Sequence, residues 1–254
     1  MLLTIDDTRV EAREGQTLWE VAAENGIEIP TLCHHEALEP RGACRICMVE
    51  ISNPKWPGWS RLVTSCVYPA EPGLVVRTNN DEIHEIRRTI VDLLMARCPE
   101  TGPVLELGAK YGLTESSFVK REQDDNCILC GLCVRTCEDV IGACAIGVSG
   151  RGAIKKVGPA FGVGSKTCIG CGACAHVCPT GCIQVIDEGG KRRIPRWGVE
   201  FELVRCPESG MPVSTREHIE FVRKRVSVGR EVLETAPEMK RKFYARKVAS
   251  EGHM

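Results

Sequence analysis

The sequence lacks the features that would mark the chain for export, a membrane or nucleic acid. Its N-terminus, MLLTIDDTRV, has acidic residues where a secretion signal needs a basic start and an apolar run. No stretch approaches the roughly 18 consecutive apolar residues of a membrane span. The formal net charge is −1, without the excess of basic residues typical of a nucleic-acid binder. We therefore expect a cytoplasmic protein with no transmembrane segment and no nucleic-acid partner.

Nucleotide-binding and catalytic motifs are lacking as well. There is no G-x-G-x-x-G, no P-loop and no nucleophile elbow. Aromatic residues make up only 5%, and the 14 Pro and 25 Gly are spread along the chain, which favours several small, loop-rich modules. The sequence predicts no catalytic residue, and neither flavin nor nicotinamide on this chain.

Cysteine, by contrast, is abundant. Sixteen are present, and clustered cysteines in a reducing compartment indicate metal sites. Residues 127–137 read CILCGLCVRTC and residues 168–178 read CIGCGACAHVC, so C-x2-C-x2-C-x3-C occurs twice, the second time followed by Pro179. Zinc is the alternative, but zinc ribbons use two separated C-x2-C pairs. The repeated run is typical of bacterial ferredoxins and predicts two 4Fe-4S clusters.

The ligands of these clusters follow from the crossed pattern of two-cluster ferredoxins. There, the fourth cysteine of each run binds the other cluster. For this chain, that pattern assigns to cluster A the ligands Cys127, Cys130, Cys133 and Cys178. It assigns to cluster B the ligands Cys168, Cys171, Cys174 and Cys137.

The N-terminal segment predicts a small mixed module. LLTID and TRVEA indicate a hairpin across Asp6 and Asp7, and Thr17 with Glu20 forms a capping box for the helix LWEVAAEN, which Asn25 and the next glycine end. Four further cysteines follow at spacings x10, x2 and x18: Cys33, Cys44, Cys47 and Cys66. They suit a 2Fe-2S cluster, whose two irons each need two thiolates, with a zinc site as the alternative.

Three segments carry a family resemblance: PTLCHHEALEPRGACRICMVEI, VTSCVYPAEPGLVVRT and EIRRTIVDLLMARCPE. They resemble the N-terminal part of the large iron-sulfur subunit of respiratory complex I. This module also occurs in iron-only hydrogenases, diaphorase subunits of NAD-reducing hydrogenases and NAD-linked formate dehydrogenases. The resemblance covers roughly residues 1–185. It implies a β-grasp fold and a 2Fe-2S cluster on the four cysteines after the first helix.

The sequence departs from that family in its connector and in one loop. In its connector, the family binds a further 4Fe-4S cluster through H-x3-C-x2-C-x5-C. The corresponding stretch of this chain, RCPETGPVLELGAKYGLTESSF, keeps only Cys98, so we expect that cluster to be missing. The loop NPKWPGWSRL is longer than expected. Its Trp56 and Trp59 either anchor a partner subunit or fold back on the domain.

The helix before this connector is predicted from its periodicity. It starts at Asp81 and presents an apolar stripe of Ile83, Ile86, Ile90, Leu93 and Leu94. His84 is expected at the surface or in packing, and not as a ligand.

The C-terminal region predicts strands from KRRIPRWGVEFELVR and a charged helix over residues 215–226. RCPESG and APEMKR occupy the places of a zinc ribbon but supply one thiol, Cys206, with Ser209, Ala236 and Met239 in the other places. We interpret this region as a docking tail or as a ribbon that has lost its metal.

The remaining thiols and histidines receive structural assignments. Cys98, Cys144 and Cys182 are predicted to be small buried apolar residues. His34, His35 and His176 adjoin cluster cysteines and are predicted to tune the clusters through hydrogen bonds, not to bind them.

Together these patterns predict an α+β protein in four parts. They are a β-grasp 2Fe-2S domain (1–80), a helical connector (81–121), a ferredoxin-like domain with two 4Fe-4S clusters (122–190) and a tail (191–254). The function expected is single-electron transfer within a cytoplasmic NAD(P)-linked oxidoreductase complex of anaerobic metabolism. The expected partners are a diaphorase-like flavin subunit and a catalytic subunit or ferredoxin. A free-standing ferredoxin is the alternative.

Overall fold

The computed structural model describes residues 1–120 and 126–251. It divides into two compact units. Unit 1 consists of Met1–Leu132 with Val177–Cys182, and unit 2 of Cys133–His176 with Ile183–Met254. The boundary predicted between residues 121 and 122 lies outside the described residues.

Unit 1 is built on a mixed sheet of five strands. They are β1 (Leu2–Ile5), β2 (Thr8–Glu11), β3 (Met48–Ser52), β4 (Ser60–Thr64) and β5 (Val75–Arg77). The spatial order is β2-β1-β5-β3-β4, with β1 parallel to β5 and the other neighbours antiparallel. The predicted first hairpin is confirmed, and Asp6 and Asp7 take φ values of 46° and 66° in its turn, which short polar side chains tolerate.

Three helices belong to this unit: α1 (Leu18–Glu24), α2 (Asp81–Arg97) and α3 (Gly102–Lys110). The predicted capping box is confirmed, because the Thr17 hydroxyl accepts from the Glu20 N–H and the Glu20 carboxylate accepts from the Thr17 N–H. Asn25 ends α1 as expected. Leu18 and Val21 of α1 pack with Leu3 and Ile5 of β1 in a fully buried core.

Helix α2 is confirmed as a helix, but its most buried positions coincide only in part with the predicted apolar stripe. Asn80 caps it, and its buried positions include Ile83, Arg87, Val91 and Met95. Leu93 is 49% exposed. The buried face turns toward Arg87 because its Nη2 donates a 2.6 Å hydrogen bond to the Met48 carbonyl, so an arginine occupies a position that apolar periodicity does not mark.

Unit 2 contains a two-stranded and a four-stranded antiparallel sheet. Strands β6 (Gly147–Ser149) and β7 (Lys156–Gly158) form the first. The second has the order β11-β10-β9-β8 and consists of β8 (Ile186–Glu188), β9 (Lys191–Ile194), β10 (Val199–Arg205) and β11 (Pro212–Thr215). The strands predicted in the C-terminal region are confirmed, as is the mixed α and β content of the chain.

The remaining helices lie before, between and after these strands. In chain order they are α4 (Leu132–Arg135), a π-helical turn (Thr136–Val140), α5 (Ala173–His176), α6 (Arg216–Arg223), α7 (Arg230–Glu234) and α8 (Pro237–Glu251). Three 3-10 turns lie at Gly152–Ile154, Ala160–Gly162 and Pro195–Trp197. The predicted charged helix corresponds to α6, whose first turn is capped by the Thr215 hydroxyl accepting from the His218 N–H.

Candidate metal centres

The four cysteines of the N-terminal module form two buried pairs in unit 1. Cys47 directly precedes β3 and Cys66 follows β4, and the antiparallel pairing of these strands brings their sulfurs to 3.3 Å. The Cys44 N–H donates to the Cys33 sulfur over 3.3 Å. All four side chains are buried, with at most 8% of their surface exposed.

These thiols are strongly coupled. The hydrogen bond between Cys44 and Cys33, followed by burial, raises the pKa of Cys44. The hydrogen bond from Cys66 lowers the pKa of Cys47 to about 6, while the pKa of Cys66 itself is raised. Several buried thiolates so close together need metal charge to neutralise them, and metal binding then releases protons. A set of two thiol pairs fits the two irons of a 2Fe-2S cluster.

A second group of thiols surrounds an apolar pocket inside unit 2. Its cysteines are Cys137, Cys168, Cys171 and Cys174. Apolar side chains including Ile141, Ala143, Ala145, Ile146, Ile169, Ile194 and Trp197 complete the lining. The structure thus places the last cysteine of the first run beside the first three cysteines of the second run. Four thiols around an apolar hollow fit a 4Fe-4S cluster.

Gly170 shows why the loop between Cys168 and Cys171 needs a glycine. Its φ is +65°, and an added Cβ would lie 2.6 Å from the Phe201 ring and 2.8 Å from the Thr215 methyl group. Arg192 donates to the Gly170 carbonyl over 3.0 Å. The loop therefore lies directly against the four-stranded sheet, which fixes the direction of the flanking thiols.

Hydrogen bonds from nitrogen reach two of these sulfurs. The buried Trp197 donates its Nε1–H to the Cys174 sulfur over 3.3 Å, and the Ala145 N–H donates to the Cys137 sulfur over 3.3 Å. Burial raises the pKa of Cys174 to about 11, and the Trp197 bond opposes that shift. Burial also raises the pKa of Cys168 and Cys171. Sequence reasoning missed Trp197, because nothing in IPRWGVE indicates a contact with a cysteine 23 residues away.

We expect Trp197→Phe to lower the reduction potential of the cluster in this pocket. Reduction adds negative charge to the cluster, so an N–H bond to a ligand sulfur favours the reduced state. If that bond favours the reduced state by about 1 kcal/mol, its loss shifts a one-electron potential by about −40 mV. Redox titration monitored by electron paramagnetic resonance measures the shift.

The matched control for this prediction is Trp56→Phe, which alters an exposed tryptophan in unit 1. An unchanged set of potentials in Trp197→Phe, with full iron content, would contradict a role for the Trp197 hydrogen bond.

A third group of thiols lies in unit 1. Cys178 and Cys182 have their sulfurs 3.5 Å apart. The hydrogen bond from Cys182 lowers the pKa of Cys178 to about 5, whereas contacts with Cys127 and Cys178 raise the pKa of Cys182. Burial raises the pKa of Cys130 to about 11, and the charges of Cys127, Cys178 and Cys33 add to that rise. Cys133 belongs to unit 2, and its membership in this ligand set stays a prediction from spacing.

The third group adjoins the N-terminal centre through a shared apolar core. Cys33 and Cys44 are buried there with Ile46, Val91, Met95, Cys98, Val104, Leu107, Leu113 and Ile128. Cys130 packs against the same core. Thiols of both predicted clusters therefore contact one continuous group of apolar side chains.

The leftover cysteines divide into different environments. Cys98 is fully buried, as predicted. Cys144 is exposed, so the prediction that it is buried is wrong. Its φ of 49° turns the chain so that Ala143 and Ala145 line the pocket while Cys144 does not. Cys182 is half-buried and lies beside a predicted ligand.

Cys206 lies at the place of the predicted degenerate ribbon. It is buried, and hydrogen bonds from the Ser209 side chain and the Ala236 backbone lower its pKa to about 7. Two of the other three ribbon positions, Ser209 and Ala236, thus contact the Cys206 thiol. Within residues 1–120 and 126–251, no three His, Cys, Asp or Glu side chains are spaced to hold a single metal ion.

The three histidines that adjoin cluster cysteines, and His84 on α2, differ in their surroundings. The His34 ring lies 4.0 Å from the Trp19 ring, centroid to centroid. The His35 Nδ1 accepts from the Ala37 N–H. His176 is exposed. His84, on α2, is exposed as expected and lies 5.2 Å from the Tyr111 ring.

Comparison with known proteins identifies two domain types. Residues 1–81 match the 2Fe-2S iron-sulfur cluster binding domain, and residues 163–184 match the 4Fe-4S binding domain. No helix in the described ranges combines the length and the apolar character needed to cross a membrane.

Curated relatives carry related domains within much longer chains. A G-type subunit of the NADH-quinone oxidoreductase of Rhizobium meliloti is 34% identical over 82% of this chain and 26% of its own length. The alpha subunit of the NADPH-Fe(3+) oxidoreductase of Geobacter sulfurreducens is 33% identical over 81% of this chain and 26% of its own length. This chain therefore spans about a quarter of the length of these relatives, which are 26% covered.

Among solved structures, a chain of an NAD+-reducing [NiFe]-hydrogenase in the H2-reduced state is similar. It is 30% identical with a TM-score of 0.55, over 63% of this chain and 74% of that chain. With its 2Fe-2S and 4Fe-4S domains, this chain belongs to the family of iron-sulfur subunits that includes the G-type subunits of NADH-quinone oxidoreductases and the subunits of NAD(P)-reducing hydrogenases.

Proposed function

We propose that this chain transfers single electrons within a cytoplasmic, NAD(P)-linked oxidoreductase complex. The observation that carries the proposal is the placement of cluster thiols in and around apolar hollows and cores, where burial and hydrogen bonds set reduction potentials. Each iron-sulfur cluster accepts and donates one electron at a time. The chain then acts as a conductor, and the reaction on the substrate takes place on another subunit.

The proposed cofactors are one 2Fe-2S cluster and two 4Fe-4S clusters. In the β-grasp domain, the pair Cys33 and Cys44 would bind one iron, and the pair Cys47 and Cys66 the other. The short distances within each pair support this division. Cluster A takes Cys127, Cys130, Cys133 and Cys178, and cluster B takes Cys137, Cys168, Cys171 and Cys174. The pocket in unit 2 supports the set for cluster B.

The proposed electron route does not require the connector cluster that the sequence is expected to lack. The charge of Cys33 contributes to the raised pKa of Cys130, and Cys130 packs against the core that buries Cys33 and Cys44. This closeness supports direct electron transfer between the 2Fe-2S cluster and cluster A. Cluster B then follows through the paired runs, whose last cysteines are exchanged.

A diaphorase-like subunit with flavin and NAD(P) is the proposed partner of the β-grasp domain. Trp56 and Trp59 support docking there, since they are 56% and 36% exposed and their rings meet edge to face at 5.7 Å. A catalytic subunit or a soluble ferredoxin would exchange electrons at the other end. The alternative, a free-standing ferredoxin, would lack large exposed apolar residues and would be isolated alone.

Anaerobic isolation from native cells tests this function. We expect a flavin-containing companion to copurify and the chain to carry about ten irons, the sum for one 2Fe-2S and two 4Fe-4S clusters. About fourteen irons would restore the connector cluster, and a zinc-loaded, colourless chain would contradict electron transfer. A holo chain that elutes alone would favour the free-standing ferredoxin.

A further inference from the structure

An open cleft lies beside the pocket of cluster B in unit 2. Its volume is about 570 Å³. Ala143 and Ile169 line both the cleft and the pocket, so these two apolar residues lie between them. Ile169 directly follows Cys168, a predicted ligand. A redox protein seated in this cleft would therefore approach cluster B across one side chain.

Cations predominate around the cleft. Its charged lining residues are Lys166, Arg216, Lys224, Arg225, Glu217 and Glu220. Arg223 holds Glu220 at 2.9 Å, and Arg225 stacks on the Phe221 ring with its guanidinium carbon 3.4 Å from the centroid. Lys166 and Lys224 are both exposed. The opening beside the cluster pocket thus has an excess of positive charge although the whole chain has a net charge of −1.

The loop segment that supplies part of this cleft has no acidic residue. Between Val140 and His176 the sequence contains no Asp or Glu. Its cations are Arg151, Lys155, Lys156 and Lys166. Large apolar side chains of the same segment are exposed: Val148, Ile154, Phe161 and Val163. A surface that combines basic residues with exposed apolar residues and lacks acidic ones is typical of a site that binds an acidic protein transiently.

We propose that this cleft docks an acidic electron-carrier protein that exchanges electrons with cluster B across Ala143 and Ile169. The inference rests on the proposed function, since it takes cluster B as the redox centre. The exchange moves one electron: the carrier is oxidised as cluster B is reduced, or the reverse, and no bond forms or breaks. Charge complementarity selects the carrier, because acidic groups on its rim meet Lys166 and Lys224.

Binding of an acidic two-cluster ferredoxin to the holo chain tests this proposal. The double variant Lys166→Glu and Lys224→Glu should weaken binding and raise the dissociation constant at least about tenfold at low ionic strength. The difference in affinity between the variant and the unchanged chain should largely disappear at about 0.5 M salt, where ions screen charge interactions over a short distance. The matched control is Arg9→Glu with Lys120→Glu, which makes the same charge change at two exposed positions of unit 1 and should leave binding within about twofold.

A variant with the opposite sign guards against misfolding as an explanation. Glu217 is exposed on the cleft, so Glu217→Lys should tighten binding by about threefold or more. Equal effects of the cleft and control variants would overturn the proposal, as would binding that is insensitive to salt or self-association of the chain in place of ferredoxin binding. Iron content and reduction by dithionite, measured in each variant, separate this failure from failure of the proposed function.

Discussion

Cys137→Ser should destroy or degrade cluster B while the 2Fe-2S cluster and cluster A remain. Cys137 lines the unit 2 pocket with Cys168, Cys171 and Cys174, although it lies in the other cysteine run. A serine hydroxyl replaces the thiolate with a much weaker iron ligand near neutral pH, because it keeps its proton. We expect the loss of about one to four irons out of about ten, measured as iron and acid-labile sulfide.

Two measurements make this result specific. Cys144→Ser is the matched control, since Cys144 follows Cys137 closely in sequence, is exposed and does not line the pocket. This variant should keep all irons. Redox titration identifies the lost cluster. The signal that disappears in Cys137→Ser should be the one whose potential shifts in Trp197→Phe, because Trp197 contacts Cys174, a predicted ligand of cluster B. Selective loss of cluster A in Cys137→Ser would refute the crossed ligation.

The loss of one cluster also bears on how the two units work as a conductor. The thiols predicted for cluster B all lie within unit 2, whereas those predicted for the 2Fe-2S cluster and most of those predicted for cluster A lie in unit 1. Cys137→Ser should therefore block exchange with an acidic carrier while reduction of the 2Fe-2S cluster continues. Such a variant separates redox exchange at the 2Fe-2S cluster from the exchange proposed at the cleft.

Features set by neighbouring residues were predictable from the sequence. The turn at Asp6 and Asp7 and the capping box of Thr17 and Glu20 depend on groups within a few positions of one another. The domain types were predictable for a related reason, since each 4Fe-4S cluster takes three of its thiols from one short run and the 2Fe-2S module has a characteristic cysteine spacing. The family models match at both the N-terminal module and the second run.

Features set by the tertiary fold were not predictable. Arg87 is buried because the Met48 carbonyl is within its reach, and Trp197 faces Cys174 because the sheet returns the chain to the pocket. Cys144 was expected inside on the basis of apolar neighbours, but its backbone conformation directs those neighbours inward instead. In each case the deciding contact joins residues whose relation no local pattern records.

The pair Cys178 and Cys182 provides the second large effect. Their sulfurs lie 3.5 Å apart, so five cysteines compete for four ligand positions of cluster A. The lowered pKa of Cys178 and the raised pKa of Cys182 favour a thiolate at Cys178. Cys178 also holds the fourth place of the ferredoxin run, directly before Pro179. Because the thiolate is the metal ligand, Cys178 is the expected ligand.

Cys178→Ala should therefore lose cluster A, about four of ten irons, whereas Cys182→Ala should keep about ten. The second variant removes a thiol that contacts the predicted ligands Cys127 and Cys178, so it should lower the potential of cluster A without changing its iron content. Iron analysis and redox titration of both proteins, prepared anaerobically, measure these outcomes. Loss of iron from Cys182→Ala with retention in Cys178→Ala would make Cys182 the ligand. Full retention in both would contradict the assignment of Cys178 as the required fourth ligand.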